Sequence, residues 1–506
     1  MKLVWFRRDL RIKDNIALYE ACVSGEPVMA VYYETPLQWK SHGLAPMQAD
    51  LIQRRLLILQ QELEKLNIPL LFRSVDAFRD INPSLVQLCQ QYQISDIYCT
   101  RDYEIDEIDR DNSIAGLLSL TSTVLHRFDY KCIFAPGSIT NGAGNTYRVF
   151  TPFKKAWLQE ARAINVSPIG APEPVQTDST TQALLRNRAP IEFRYPLRDS
   201  VSWPVDDSAI IQRLRDFCRY RVEQYDVSRD FPAIPATSQL SPYLAIGAIS
   251  PRQCMARLLV ESPQCLDKDS GGGHIWLSEL VWREFYQHIV AAYPEISKGN
   301  SFQAWTDTIE WNRDELQFQR WKQGKTGFPI VDAAMRQLNE TGWMHNRLRM
   351  IVASFLVKDL HIDWRWGEHY FMSKLIDGDF AANNGGWQWS ASVGTDAQPY
   401  FRVFNPTAQS KKFDPNTRFI RRWLKELESV PEKALHAPHE WLIRTVLTLP
   451  IRGRLLITNW RGKKPSPCSK RRSVIKAHKG LNHDANCRHA RERNVGKVSR
   501  RLPLSA

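Results

Sequence analysis

Over the first 130 positions, short apolar runs alternate with longer amphipathic stretches. The runs KLVWF (2–6), VMAVYY (28–33), PLLFR (69–73) and DIYCT (96–100) have the length and composition of buried strands. Between them, APMQADLIQRRLLILQQELEKL (45–66) repeats its apolar positions at helical spacing. Strand and helix in alternation predict a parallel α/β domain over 1–130. No GxGxxG segment opens it, so an ordinary dinucleotide grip is not indicated. From 131 to 205 the pattern fades, and prolines 168, 172, 174, 190, 196 and 204 mark a long interdomain connection. From 206 to 445 helical periodicity dominates and strand signals nearly vanish, which predicts an all-α domain. Residues 446–506 lack a periodic apolar face and are expected to be a poorly ordered basic tail.

A chain of 506 residues exceeds one ordinary core, in keeping with two domains. The net charge of +14 invites a nucleic-acid reading, but its location changes that picture. Residues 451–506 hold sixteen Lys and Arg against Asp484 and Glu492, which leaves 52 basic and 52 acidic residues upstream. The main body is therefore neutral, and DNA binding there needs a local basic surface. Nine scattered cysteines form no CxxC pair, pointing to reduced thiols in a cytosolic setting and to no zinc site. The start MKLVWFRRDLRIKDN meets charge too early for a secretory signal, and no run reaches membrane-spanning length.

Several segments carry candidate chemistry. In ATSQLSPYLAIGAISP (236–251), Ser241 followed by Pro242 reads as an N-cap and first helical position, with Thr237 and Ser238 adding hydroxyls upstream. Such a helix start can seat a phosphate, although a plain capped helix has the same signature. In IWLSELVWREFY (275–286), Trp276, Glu279 and Arg283 share a helix face, with Trp282 on its flank. A simple Glu279–Arg283 ion pair is the competing reading. In GWMHNRLRM (342–350), Asn346, Arg349 and Met350 share a face, and Arg349 needs an acidic partner, which Asp377 or Asp379 can supply. The stretch DGDFAANNGGWQW (377–389) sets acids and amides beside two indoles, bringing flat hydrophobic plates and precise hydrogen-bond partners into one place. Trp311, Trp364 and Trp387 lie far apart, and each alone reads as packing.

Together with LVWFRRDLRIKDN (3–15) and VFTPFKKAW (149–157), these segments resemble the photolyase/cryptochrome family from the N-terminus to about 445. Within the family they are similar to the bacterial class I members that repair cyclobutane pyrimidine dimers. The resemblance implies a Rossmann-like α/β antenna domain and an all-α domain enclosing FAD. It implies that Tyr225, Thr237, Ser238 and Ser241 hold the FAD phosphates and ribityl chain, with Trp276, Arg283 and Asn346 in the same binding site. Arg349 and Asp377 pair over the ring, Asp379 bonds its pyrimidine edge, and Asn383 sits at N5. Excited reduced flavin would donate an electron to a dimer swung out of the duplex. Trp282 and Trp389 would wall the lesion pocket and Met350 would line it. Glu279 would bond the pyrimidine carbonyl edge, its pKa raised. Arg229, Arg347 and Arg402 are candidates for phosphate contacts. Trp387, Trp364 and Trp311 match a relay that photoreduces oxidised flavin. Asn346 and Met350 fit the dimer-repair pattern better than that of the (6-4) enzymes or plant cryptochromes. The rival function is a blue-light receptor of cryptochrome type, including the DASH group.

His42, Asp106, Glu107 and Lys298 match, with aspartate replacing an asparagine, positions that hold a methenyltetrahydrofolate antenna. A deazaflavin is the alternative. The implied partner is DNA containing pyrimidine dimers, bound by a monomer without metal or membrane. After about Thr448 the resemblance stops. Residues Arg454 to Lys464 can be back-translated so that a shifted frame gives Ile-Val-Asp-His-Lys-Leu-Ala-Arg-Lys-Lys, the family's own ending. A frameshift near residue 450 is therefore expected, with a genuine basic arm as the competing reading.

Overall fold

The computed structural model describes residues 1–448. Five parallel strands, β1 (Lys2–Phe6), β2 (Val28–Glu34), β3 (Leu70–Ser74), β4 (Asp96–Thr100) and β5 (Val124–Phe128), form one sheet in the order β3-β2-β1-β4-β5. Four of them lie where the apolar runs place them. The fifth, VLHRF, escapes a hydrophobicity reading because it is an edge strand with no buried residue. Helices α1 (Ile16–Val23), α2 (Pro36–Ser41), α3 (Pro46–Glu64), α4 (Phe78–Tyr92) and α5 (Ile105–Leu118) intervene. All seven residues of β2 are buried, as a strand covered on both faces requires.

The stretch taken as a connection is less open than its prolines imply. It carries α6 (Phe150–Ala161) and α7 (Ser179–Arg186), and parts of its remaining backbone are tied to the α/β region. The Tyr195 N–H donates to Glu34 (2.7 Å) and the Ser200 N–H to Asp50 (2.9 Å). Proline content here marks irregular backbone pinned to a surface.

Helices then dominate: α8 (Asp207–Tyr220), α9 (Tyr225–Ser228), α10 (Ser241–Ile246), α11 (Pro251–Glu261), α12 (Gly272–Ala292), α13 (Glu315–Lys322), α14 (Pro329–Thr341), α15 (Asn346–Ser354), α16 (Trp364–Met372) and α17 (Phe380–Ala391), followed by short helices to Thr448. Gly247 ends α10 at φ +72° and meets the N-terminal segment, where any Cβ would overlap the Arg8 carbonyl. Leu10 and Arg11 bond to Ile246 and Gly247 across this contact, which joins the sheet's carboxyl edge to the helical region. The helical region packs around two apolar clusters. One contains Trp276, Phe285 and Tyr225, and the other Trp364, Trp387 and Trp321. Among the described residues no helix is long and apolar enough to cross a membrane. A helix running to Thr448 covers the first three residues of the expected basic tail, and from 449 on that tail and the frameshifted segment lie outside the described residues.

Candidate functional site

Two helices, α12 and α17, carry most of the singled-out residues, and their approach is set by a glycine. A Cβ on Gly385 would overlap the Tyr286 ring, so hydrogen there lets α17 lie against α12. Asp379 is the N-cap of α17, accepting from the Ala382 N–H at 3.0 Å. Its carboxylate also receives Gln287 of α12 at 3.3 Å and lies 4.0 Å from Arg283. Arg283 in turn donates to the Lys131 carbonyl, so the Glu279–Arg283 pair is not formed. Glu279 pairs instead with Arg229. Burial pushes the Glu279 carboxyl above its ordinary range, against the pull of that guanidinium. Its side chain keeps 32% of its surface open, so this is a carboxyl in a pocket wall.

Arg349 on α15 takes Asp377 as its partner, one nitrogen reaching both carboxylate oxygens at 3.0 and 2.8 Å. Asn383, one turn into α17, donates its amide to the Glu368 carbonyl (3.0 Å) and carboxyl (3.2 Å). Its own carbonyl oxygen stays available as an acceptor. Burial lifts the Glu368 carboxyl to about 7. Glu368 was invisible to sequence reasoning, because its partner is fifteen positions away on another helix.

The phosphate-seat segment differs in register from its sequence reading. Ser241 is the first residue of α10 and Leu240 is the cap, already helical at φ −93°, ψ −8°. The turn begins early because Gln239 takes a left-handed φ of 52°. Ser241 is therefore exposed, and the hydroxyls of Thr237, Ser238 and Ser241 make no hydrogen bond within the described chain. Tyr225 and Trp276 are buried nearby in one cluster, joined through Phe217 at 5.7 and 4.9 Å. The implied flavin dinucleotide fits these groups. It needs free hydroxyls for phosphate, a fixed carboxylate pair and an amide acceptor, and a Cβ on Gly386 would meet nothing within 4 Å.

Trp282 packs on one apolar cluster and Trp389 and Met350 on the other, all part-exposed. Asn346 is exposed at the start of α15. Arg347 grips Asp230 through two nitrogens, and Arg402 is exposed with no ion pair among the described residues. Trp364 and Trp387 are buried, and Trp311 borders their cluster. The Trp311 strand segment is tied to α16's approach by Asn312, whose N–H and side chain bond to His361 (2.7 Å) and Leu360 (2.9 Å). Gly367 sits one turn from Trp364. A Cβ there would overlap the Trp387 ring and come within 2.6 Å of Leu356, so this glycine provides space and no special φ.

A separate cleft opens at the carboxyl ends of β1, β2 and β4, the switch point of the sheet. Its volume is about 870 Å³ with the mouth included. Trp5, Arg7, Tyr32, Thr35, Phe78 and Glu107 are among its walls. His42 stands at the cleft, 2.9 Å from Asp106 and 3.7 Å from Glu107. The short turn Pro294–Lys298 docks on α5 through Ser297, which accepts the Ile105 N–H, and its Lys298 pairs with Glu295. Three buried polar groups here lack partners: Arg7 Nε and Nη2, Thr35 Oγ1 and Glu107 Oε2. Burial, reinforced by Glu104, raises the Glu107 carboxyl to about 7.

Residues 2–175 match the family model described as DNA photolyase, and 276–449 that described as the FAD binding domain of DNA photolyase. The chain is 55% identical over 440 residues to the deoxyribodipyrimidine photo-lyase of Vibrio cholerae, covering 87% of this chain and 93% of that one. A cryptochrome from Synechocystis superposes with a TM-score of 0.76 at 28% identity, over 95% of this chain and 98% of its own. An archaeal photolyase from Sulfolobus tokodaii, solved with two FAD molecules, gives 0.70 at 30% identity, over 87% and 94%. With its parallel sheet, its helical flavin-binding region and this degree of identity, the chain belongs to the DNA photolyase family.

Proposed function

We infer that this protein is a deoxyribodipyrimidine photo-lyase, repairing cyclobutane pyrimidine dimers in DNA under blue light. The observation that carries this reading beyond kinship is the contact between α12 and α17. The residues suited to flavin (Asp379, Asn383) and those suited to the lesion (Glu279, Trp282, Trp389) stand on the same two touching helices. When bound, reduced FAD supplies the photoexcited electron that splits the cyclobutane ring.

The chain's own residues do the rest. Arg349 and Asp377, as a fixed ion pair, would hold the flavin ring, with Asp379 and Asn383 supplying hydrogen bonds to it. Thr237, Ser238 and Ser241 take the phosphates and ribityl chain, with Tyr225, Trp276, Arg283 and Asn346 completing the binding site. Trp282 and Trp389 receive the flipped dimer beside Met350 and exclude water. Glu279 hydrogen-bonds the pyrimidine carbonyl edge from the pocket wall. Arg402 contacts backbone phosphate directly, while Arg229 and Arg347 exchange their acidic partners for it. Trp311, Trp364 and Trp387 relay charge when the flavin is oxidised.

The cleft walled by His42 and Glu107, with Asp106 beside His42 and Lys298 on the neighbouring turn, would hold the antenna, with methenyltetrahydrofolate as the first assignment. The cavity of about 870 Å³ with its mouth included, and the free Arg7 Nε and Nη2 and Thr35 hydroxyl in it, favour a second reading, a tricyclic deazaflavin. The protein works as a cytoplasmic monomer on nucleoid DNA. An assay of dimer-containing oligonucleotide tests the function: restoration is expected under blue light and not in darkness. Restoration in neither condition by the flavin-loaded protein favours the cryptochrome reading. Glu279→Ala is expected to keep flavin and lose repair efficiency; loss of flavin instead overturns its placement.

A further inference from the structure

The motif VFTPFKKAW has so far no role, yet it supplies a rib along α12. Phe150, Phe153 and Trp157 project from one face of α6 at helical spacing. Each meets α12: Phe150 stacks on Trp282, Phe153 abuts Phe285 (5.2 Å) and His288 (5.1 Å), and the Trp157 indole N–H donates to Glu284 at 2.8 Å. The Phe150 contact is of a different kind from the others. Its ring centroid lies 3.5 Å from that of Trp282 at 9° between planes, so one whole face of the indole is covered. Phe285 and Tyr286 touch Trp282 only at 5.8 and 5.6 Å, inclined at 82° and 33°. Phe150 is itself buried, and its N–H donates to the Asp396 carboxylate at 3.1 Å. Thr395, next to Asp396, bonds to the Arg148 carbonyl. The start of α6 is thus pinned through its backbone by the loop that carries Arg402 and through the Phe150 ring by α12.

We propose that Phe150 is a positioning residue for lesion recognition, a backing plate that fixes the plane of Trp282 and leaves one face open to the flipped pyrimidine dimer. The inference rests on the reading of Trp282 as a wall of the lesion pocket. A part-exposed indole without a backing samples several rotamers, and ordering it on binding weakens affinity. Stacking against a ring that is already immobile removes that cost before the lesion arrives. The effect belongs to capture of the damaged base pair and leaves the photochemical step untouched.

The test compares flavin-loaded wild type with Phe150→Leu, Phe150→Tyr and Trp282→Ala, using dimer-containing and undamaged oligonucleotides. Phe150→Leu is expected to weaken dimer affinity about five- to tenfold, the scale of one aromatic pair. Affinity for undamaged DNA, the flavin spectrum and the repair yield at saturating substrate stay unchanged. Phe150→Tyr, which keeps the flat ring, restores dimer affinity. Should Trp282→Ala leave dimer affinity intact, the lesion-wall reading itself fails. Should Trp282→Ala lose affinity while Phe150→Leu does not, the backing role is overturned. Equal weakening on damaged and undamaged DNA, or loss of flavin in Phe150→Leu, also overturns it, since either marks a merely structural residue. Asp396→Ala, which leaves both rings in place, gives a second reading through the backbone pin and is expected to lower dimer affinity by a smaller factor.

Discussion

The cleft of the α/β region and the cluster on α12 and α17 treat their polar groups in opposite ways. In the helical cluster the principal charged and amide groups already pair with one another: Arg349 with Asp377, Asp379 with the Ala382 N–H, and the Asn383 amide N–H with Glu368. In the cleft, Arg7, Thr35 and Glu107 each keep a buried polar atom without a partner. A preorganised site holds its geometry whether or not its ligand is bound, whereas orphaned buried groups are stabilised only when something arrives to pair with them. The difference teaches that the paired polar groups of α12, α15 and α17 are part of the fold's own stability. The accessory cleft is a place where the fold carries a cost that a ligand relieves.

The largest expected break of this contrast is Arg349→Ala. It strands Asp377, whose side chain is only 3% exposed, and should cost about 3–5 kcal/mol in denaturant unfolding along with most of the bound flavin. Retained stability would show that the pair is not a structural element. Gly367→Ala comes next, costing about 1–3 kcal/mol through overpacking against Trp387. Photoreduction of oxidised flavin should slow, while repair by chemically pre-reduced protein persists. Equal photoreduction would remove Gly367 from the relay's geometry.

A pH comparison sharpens the contrast further. Glu107 and Glu368 both reach about 7 in the fold from a starting value of 4.5. Such raised carboxyls leave stability full below pH 4.5 and erode it as the pH climbs toward 7, because only the unfolded chain ionises freely in that window. Glu368→Gln and Glu107→Gln should each flatten the fall in Tm between pH 4.5 and 7. A slope unchanged in either variant would deny that group its burial. Thr35→Val should have the smallest effect, within about 1 kcal/mol of wild type without a chromophore, because the lost hydroxyl had no partner. The same variant should hold less antenna pigment, read from the absorbance of the purified protein.

Most of the sheet was legible because β1 to β4 each carry buried apolar residues, and β5 was not because none of its residues is buried. In the helical region, spacing placed Trp276, Glu279 and Arg283 on one face of α12 and proposed an acid for Arg349. It did not reveal that Glu279 turns to Arg229 and away from Arg283, since side-chain pairing is decided by what packs opposite. Glu368, Gln287 and Phe150 carried no signal for the same reason, each acting on a helix remote in sequence. Gly367 and Gly385 were legible only as glycines; their meaning depends on the rings of Trp387 and Tyr286 pressed against them. The register at Ser241 slipped by one residue because the left-handed turn at Gln239 starts the helix early.

The absence of a side chain at position 385 reaches beyond packing to the history of the gene. Any side chain added there presses on the Tyr286 ring and obliges it to move, so a change at 385 is easiest after its neighbour on the other helix has become smaller. Lineages that still use both helices for this purpose should therefore tend to carry the two positions as a linked pair.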